Sequence, residues 1–99
     1  MKIGISTASL YGKMYTEEAL EYFAKNNVEN AEVFLASFSE YTEEFGKMLK
    51  EKKGNVNVHS IHTLNSQFEG QLFSHSERQF ADAIKIFESA LKVGKLLDA

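Results

Sequence analysis

Short apolar alternations and longer apolar stripes take turns along this chain. From Lys2 to Ser6, Ile3 and Ile5 fall on one side and Gly4 and Ser6 on the other. That period of two predicts a strand. A polar loop, TASLYGKMY, comes next. Thr16 is a good N-cap, and Glu17 and Glu18 stand in the first turn, where the helix dipole favours acids. Ala19, Leu20, Phe23 and Ala24 then recur at helical spacing, and Asn26-Asn27 offers a left-handed cap to end the helix. A second strand is predicted over Ala31 to Leu35, with Val33 and Leu35 on one face and Glu32 and Phe34 on the other. Ser39 or Thr42 starts a second helix, whose apolar face is Tyr41, Phe45, Met48 and Leu49. It ends in KEKKG, with cations in the last turn and Gly54 as the stop. A third strand runs from about Val56 to His62; Val56, Val58, Ser60 and His62 alternate there with Asn57, His59 and Ile61. After the loop TLNSQFEGQLF, Ser74 and Glu77 have capping-box spacing. They open the longest helix, which carries Phe80, Ala83, Ile84, Phe87, Leu91 and Leu97 on its buried stripe and runs to the end of the chain, with Gly94 as its weak point.

The predicted order is βαβαβα, and equivalent strand positions Gly4, Glu32 and Val58 are 28 and 26 residues apart. Such alternation argues for a parallel sheet with right-handed crossovers. An open doubly wound sheet and a closed (β/α)8 barrel share it. Doubly wound strands are covered on both faces and read as continuous apolar runs. Here each strand has one apolar and one small or polar face, the second carrying Gly4, Ser6, Glu32, Phe34, Val58, Ser60 and His62. The first turn, STASLYG, also lacks the glycine-rich phosphate fingerprint of dinucleotide-binding sheets. The expectation is therefore three βα units of a (β/α)8 TIM barrel, incomplete in this chain, with Ser6 and His62 at the strand ends where barrel active sites are built. A whole barrel needs about 250 residues; residues 1–99 form a single partial domain, about three-eighths of one. Two sheet edges would stay open and one sheet face wet. The chain is thus expected to be the N-terminal piece of a longer enzyme, or to close its edges by self-association.

Composition narrows the partners. Lys and Arg number 11 against 14 Asp and Glu, a net charge of −3, which disfavours nucleic-acid binding through a broad basic surface. Cys is absent, so disulfides, thiolate metal sites and cysteine nucleophiles are excluded. No apolar run approaches the roughly 20 residues that span a bilayer, and Gly4, Ser6, Thr7 and Ser9 interrupt the stretch from Ile3 to Leu10 that a signal peptide would need. A cytoplasmic protein is expected.

The strings MKIGISTASL, TEEALEYFAKNNVENAEVFLASFSEY and VHSIHTLNSQFEGQLFS resemble the opening of sugar phosphate isomerases/epimerases of the xylose isomerase-like TIM-barrel superfamily, which also holds endonuclease IV-type enzymes. The resemblance covers essentially the whole chain; its most specific parts are AEVFLASFSEY and IHTLNSQFE. It implies a divalent-metal enzyme that moves a proton next to a carbonyl through an enediolate-like intermediate. Family metal ligands come from later strands, so none carries over to this chain, and no metal is expected on the chain alone. His62 is the one position carried over, as a strand-end group that in relatives contacts substrate or, in the endonuclease branch, a metal; Thr63 stands after it where many relatives have Pro.

Each candidate has a plainer structural alternative. His62 could donate to a sugar hydroxyl or phosphate, or simply bond a backbone carbonyl. Glu32, on the inner face, is a possible catalytic acid, weighed against pairing with a cation or backbone donor. Ser6 could bind substrate, although Ser and Thr at strand ends usually bond the following turn. In the third loop, Gln67 could read a hydroxyl and Phe68 cover a sugar face, or Phe68 could pack beneath its own loop. His59, three residues before His62, should point to the sheet–helix layer, so the two could share a site only across a bulge. His75 is expected to be solvated. Phe23, Phe45, Phe80 and Phe87 belong to helix stripes and are expected in the core. Three classes of function remain: part of a metal-dependent sugar or sugar-phosphate isomerase or epimerase, inactive alone; a noncatalytic self-associating β/α module; or an endonuclease IV-like piece, which the acidity disfavours.

Overall fold

The computed structural model describes residues 2–63 and 69–99. The elements are β1 (Ile5–Ser6), α1 (Thr16–Lys25), β2 (Asn30–Phe34), α2 (Glu43–Lys52), β3 (Asn57–His62) and α3 (Glu77–Leu96), with short 3-10 turns at Thr7–Leu10, Phe38–Glu40 and Glu69–Phe73. The strands form one parallel sheet in the order β1-β2-β3. The expected α/β architecture with three βα units is therefore present. No helix among the described residues is long and apolar enough to cross a membrane.

The helices lie on one face of the sheet. Ala31, Val33 and Leu35 point into them and meet Leu20 and Phe23 of α1, Leu49 of α2 and Ile86, Ala90 and Val93 of α3. Burial of these side chains is the main favourable term in the fold. Tyr41 joins this core, and its buried hydroxyl donates to Leu35 O at 2.9 Å. It precedes α2 instead of lying on it. Thr42, not Ser39, caps α2, its Oγ1 accepting from Phe45 N at 3.1 Å. Asn27, at φ 60°, takes the left-handed position after α1. Thr16 is the first residue of α1, not its cap; its hydroxyl donates to Phe34 O at 2.9 Å. The cap of α3 is Ser76, with Oγ 3.4 Å from Gln79 N, two residues after the expected Ser74.

Two expectations about faces are overturned. The β2–β3 register pairs Ala31 with Val58 but Glu32 with Ser60, so His59 is an inserted residue at a bulge. A bulge sets two residues opposite one and reverses the phase of the strand beyond it. Val58, expected on the polar face, is 5% exposed and faces the helices. Ile61 resumes the apolar side, while Ser60 and His62 stay on the other.

In α3 the buried stripe is Ala83, Ile86, Ala90 and Val93, continued by Leu97 at the C-cap. Phe80, Ile84 and Leu91 are exposed, Phe80 at 45% and Leu91 at 72%. At the C-terminal end of this stripe α2 approaches closely: a Cβ on Gly46 would lie 2.8 Å from Leu96 Cδ1 and 3.5 Å from Val93 Cα. Gly94 does not end the helix. It is buried, with room for Ile61 beside it.

Candidate functional site

The sheet face away from the helices gathers the polar strand residues. Register places Ser6, Glu32 and Ser60 in one row and Phe34 and His62 in the next. Ser60 Oγ donates to Glu32 Oε2 at 2.7 Å. Glu32 Oε1 lies 4.0 Å from His62 Nδ1, and their side chains are 43% and 44% exposed. That separation exceeds a direct hydrogen bond and suits a bridging water or a substrate hydroxyl. The His62 ring lies on Phe34, with centroids 4.5 Å apart and planes tilted by 32°. Ser60 thus orients the carboxylate and Phe34 orients the imidazole.

Of the residues singled out from sequence, Ser6, Glu32 and His62 converge on this face. Ser6 Oγ accepts from Ala8 N at 3.1 Å, the local turn bond expected of it, so a substrate role would use its O–H as donor. Gln67 and Phe68 lie outside the described residues. His59 does not enter the sheet–helix layer. The bulge brings it to the open face, where Nε2 is 2.6 Å from Oδ1 of buried Asn30. A concavity of about 470 Å³ lies there, lined by Ser6, Glu32, His59 and Ser60 among others. His75 is exposed, as expected.

Sequence reasoning missed a second concavity, about 410 Å³, at the C-terminal ends of β1 and β2. Tyr11, Lys13, Tyr15, Glu18, Phe34 and Glu40 are among its lining residues. Tyr11 meets Phe34 edge-on, with centroids 5.8 Å apart, so Tyr11, Phe34 and His62 form an aromatic run over the strand ends. Glu40 is 7% exposed, and its Oε1 accepts from Ala36 N at 2.6 Å and Ser37 N at 2.9 Å. Thr7 Oγ1 accepts from Phe34 N at 2.8 Å, tying the first loop to the end of β2. The two tyrosines in an otherwise polar loop, LYGKMY, were the available signal.

Comparison with known proteins finds no matching family model, no matching curated protein and no matching solved structure. The chemistry of the site therefore rests on its own residues. A divalent metal usually takes four to eight donors. Among the described residues no group of three or more His, Asp or Glu could hold one. Glu32 and His62 supply two donors and His59, on the same face, is turned to Asn30, so this donor set does not fit a resident metal. The chemistry open to the pair is proton exchange: an oriented carboxylate accepts a proton, and an imidazole hydrogen-bonds an oxygen a few ångströms away.

Proposed function

We propose that the uncovered sheet face is the N-terminal part of the active site of a cytoplasmic sugar or sugar-phosphate isomerase or epimerase with a TIM-barrel architecture. The observation that carries this reading is the Ser60–Glu32–His62 arrangement on a face that no helix among the described residues covers. In the proposed reaction Glu32 takes the proton from the carbon next to a carbonyl. His62 donates a hydrogen bond to the carbonyl oxygen, where negative charge develops. Return of the proton to the old carbonyl carbon, with the hydroxyl proton passing between the two oxygens through His62, isomerises the sugar; protonation of the same carbon from the opposite face by solvent epimerises it. The complete enzyme would add a divalent metal from residues this chain does not supply, so the chain alone is proposed to bind sugar without turning it over.

The test is amide-shift mapping of the chain during titration with a ketose and its aldose. Shifts centred on Ser6, Glu32, Ser60 and His62, lost in His62→Ala, support the reading. Turnover by the purified chain with added divalent metal contradicts the need for further residues. Silence of these amides at saturating sugar contradicts the site itself.

A second reading, a self-associating noncatalytic module, is favoured by the apolar stripe that α3 leaves exposed and by the edge of β3, which pairs with no further strand among the described residues. We propose a second copy as occupant. Its β1 edge displays Ile3 and Ile5 as exposed apolar residues, the pattern that a parallel strand beside β3 needs to meet Phe80, Ile84 and Leu91.

A further inference from the structure

We infer that the cleft at the C-terminal ends of β1 and β2 selects an unphosphorylated polyhydroxylated ligand over its phosphate ester. This inference rests on the sugar-binding reading of the sheet face and names the substrate class that the neighbouring cleft admits.

The cleft's chemistry is mixed in a specific way. Tyr11, Tyr15 and Phe34 offer aromatic surface, which suits the C–H face of a sugar ring. Lys13 and the tyrosine hydroxyls can donate hydrogen bonds, while Glu18 and Glu40 present acceptors. Its volume of about 410 Å³ leaves room for a monosaccharide. The charge balance argues against a phosphate. Two carboxylates oppose one ammonium, and the carboxylate of Glu40 is fixed in place by two backbone N–H groups. Those amides, which could have cradled an anion, are occupied by the protein's own carboxylate. Among the described residues no arginine lines the cleft to grip a phosphate in two-pronged fashion. Thr7 and Thr16 face it too, but their hydroxyl oxygens are engaged with the backbone of Phe34. A neutral sugar meets donors and acceptors together; a dianion meets net negative charge.

Position links the cleft to the Glu32–His62 pair. Phe34 lines the cleft with one part of its ring and supports His62 with another. A sugar long enough to pass Phe34 would place its far hydroxyls among Tyr11, Lys13 and Glu40 while its reacting end faces His62. The cleft is thus a specificity element, and the pair is the chemical one.

The test titrates the chain with D-fructose, fructose 6-phosphate and inorganic phosphate, read by tyrosine fluorescence and by amide shifts. The chain has 4 Tyr and no Trp, so emission is not masked by indole. Fructose is expected to shift Tyr11, Tyr15 and Ser37. Its phosphate is expected to bind about tenfold more weakly, the effect of one net negative charge a ligand's length away in a partly wet cleft. Glu18→Gln is expected to narrow that ratio, and Tyr11→Ala to weaken both sugars. Equal or tighter binding of the phosphate ester overturns the inference, as does a cleft silent to all three probes in a chain whose circular dichroism shows it folded. Shifts confined to Glu32, Ser60 and His62 defeat the cleft and spare the sheet-face reading. Shifts confined to the cleft, with the phosphate disfavoured, do the reverse.

Discussion

Glu32 and His62 meet diagonally across two parallel strands, 4.0 Å apart, although register pairs Glu32 with Ser60. The diagonal works because the bulge at His59 has already reset the phase of β3. Ser60 then reaches Glu32 from the side while His62 reaches it from the next row. Replacing Ser60 by Ala removes the only side-chain hydrogen bond that Glu32 makes among the described residues. The carboxylate should then sample more rotamers, at about 1 kcal/mol or less in stability because the group is partly wet. Urea unfolding together with Glu32 side-chain relaxation checks both halves of this expectation.

His59 has the opposite profile. Its Nε2 lies 2.6 Å from Oδ1 of buried Asn30. His59→Ala exchanges that contact for water in the concavity beside it, which should cost about 0.5–1.5 kcal/mol. Removing the residue altogether restores regular alternation and would preserve the pairing of Glu32 with Ser60. The His59 deletion should therefore keep the fold while losing the Asn30 contact. Loss of the native amide spectrum on deletion would show that the bulge has another role.

Between α1 and α2, Lys52 Nζ lies 3.0 Å from Glu21 Oε2. The hydrogen bond and charge of Lys52, with Lys25 assisting, lower the pKa of Glu21 from its usual 4.5. The hydrogen bond and charge of Glu21 raise that of Lys52 from 10.5. The acid side of this linkage is present above pH 4.5 and lost as pH falls through the depressed Glu21 value. The basic side is present below pH 10.5 and lost as pH rises through the elevated Lys52 value. Thermal unfolding of wild type and Lys52→Met should differ by a small constant amount between those limits. The difference should shrink outside them and in high salt, since both groups are exposed. A difference that peaks at acid pH would refute the assignment.

Apolar surface on α3 makes an association prediction. Leu91→Lys and Ile5→Lys change opposite edges of the sheet, so each should weaken β1-to-β3 contact between copies and raise the midpoint concentration in sedimentation. Neither should unfold the chain, because Leu91 is 72% and Ile5 41% exposed. A wild-type chain that stays monomeric across micromolar concentrations would remove the basis for the self-associating module.

Much of this fold is legible in the sequence. The three βα units come from Val33 and Leu35 alternating with Glu32 and Phe34, and from Leu20 and Phe23 at helical spacing. Ser6, Glu32 and His62 can be placed on one face because each strand has a polar side. The phase of β3 is not legible. VNVHSIH alternates equally well whether or not a residue bulges, and only pairing with β2 decides it. The α3 stripe reads wrongly because size alone assigns its large residues inward. The interior instead takes Ala83, Ile86 and Ala90 and leaves Phe80 and Leu91 outside. Glu40 is invisible in sequence as a fixed carboxylate, since its partners are backbone amides at positions 36 and 37.

The most direct measurement of the central claim is exchange of the substrate's carbon-bound proton with solvent. It would be followed by NMR in a hybrid barrel joining residues 1–99 to the last five βα units of a sugar isomerase. The account predicts exchange with the parent chain and a loss of about 10²–10⁴-fold in Glu32→Gln, within the usual range for a removed general base. Exchange proceeding at the same rate in Glu32→Gln and His62→Ala would contradict it.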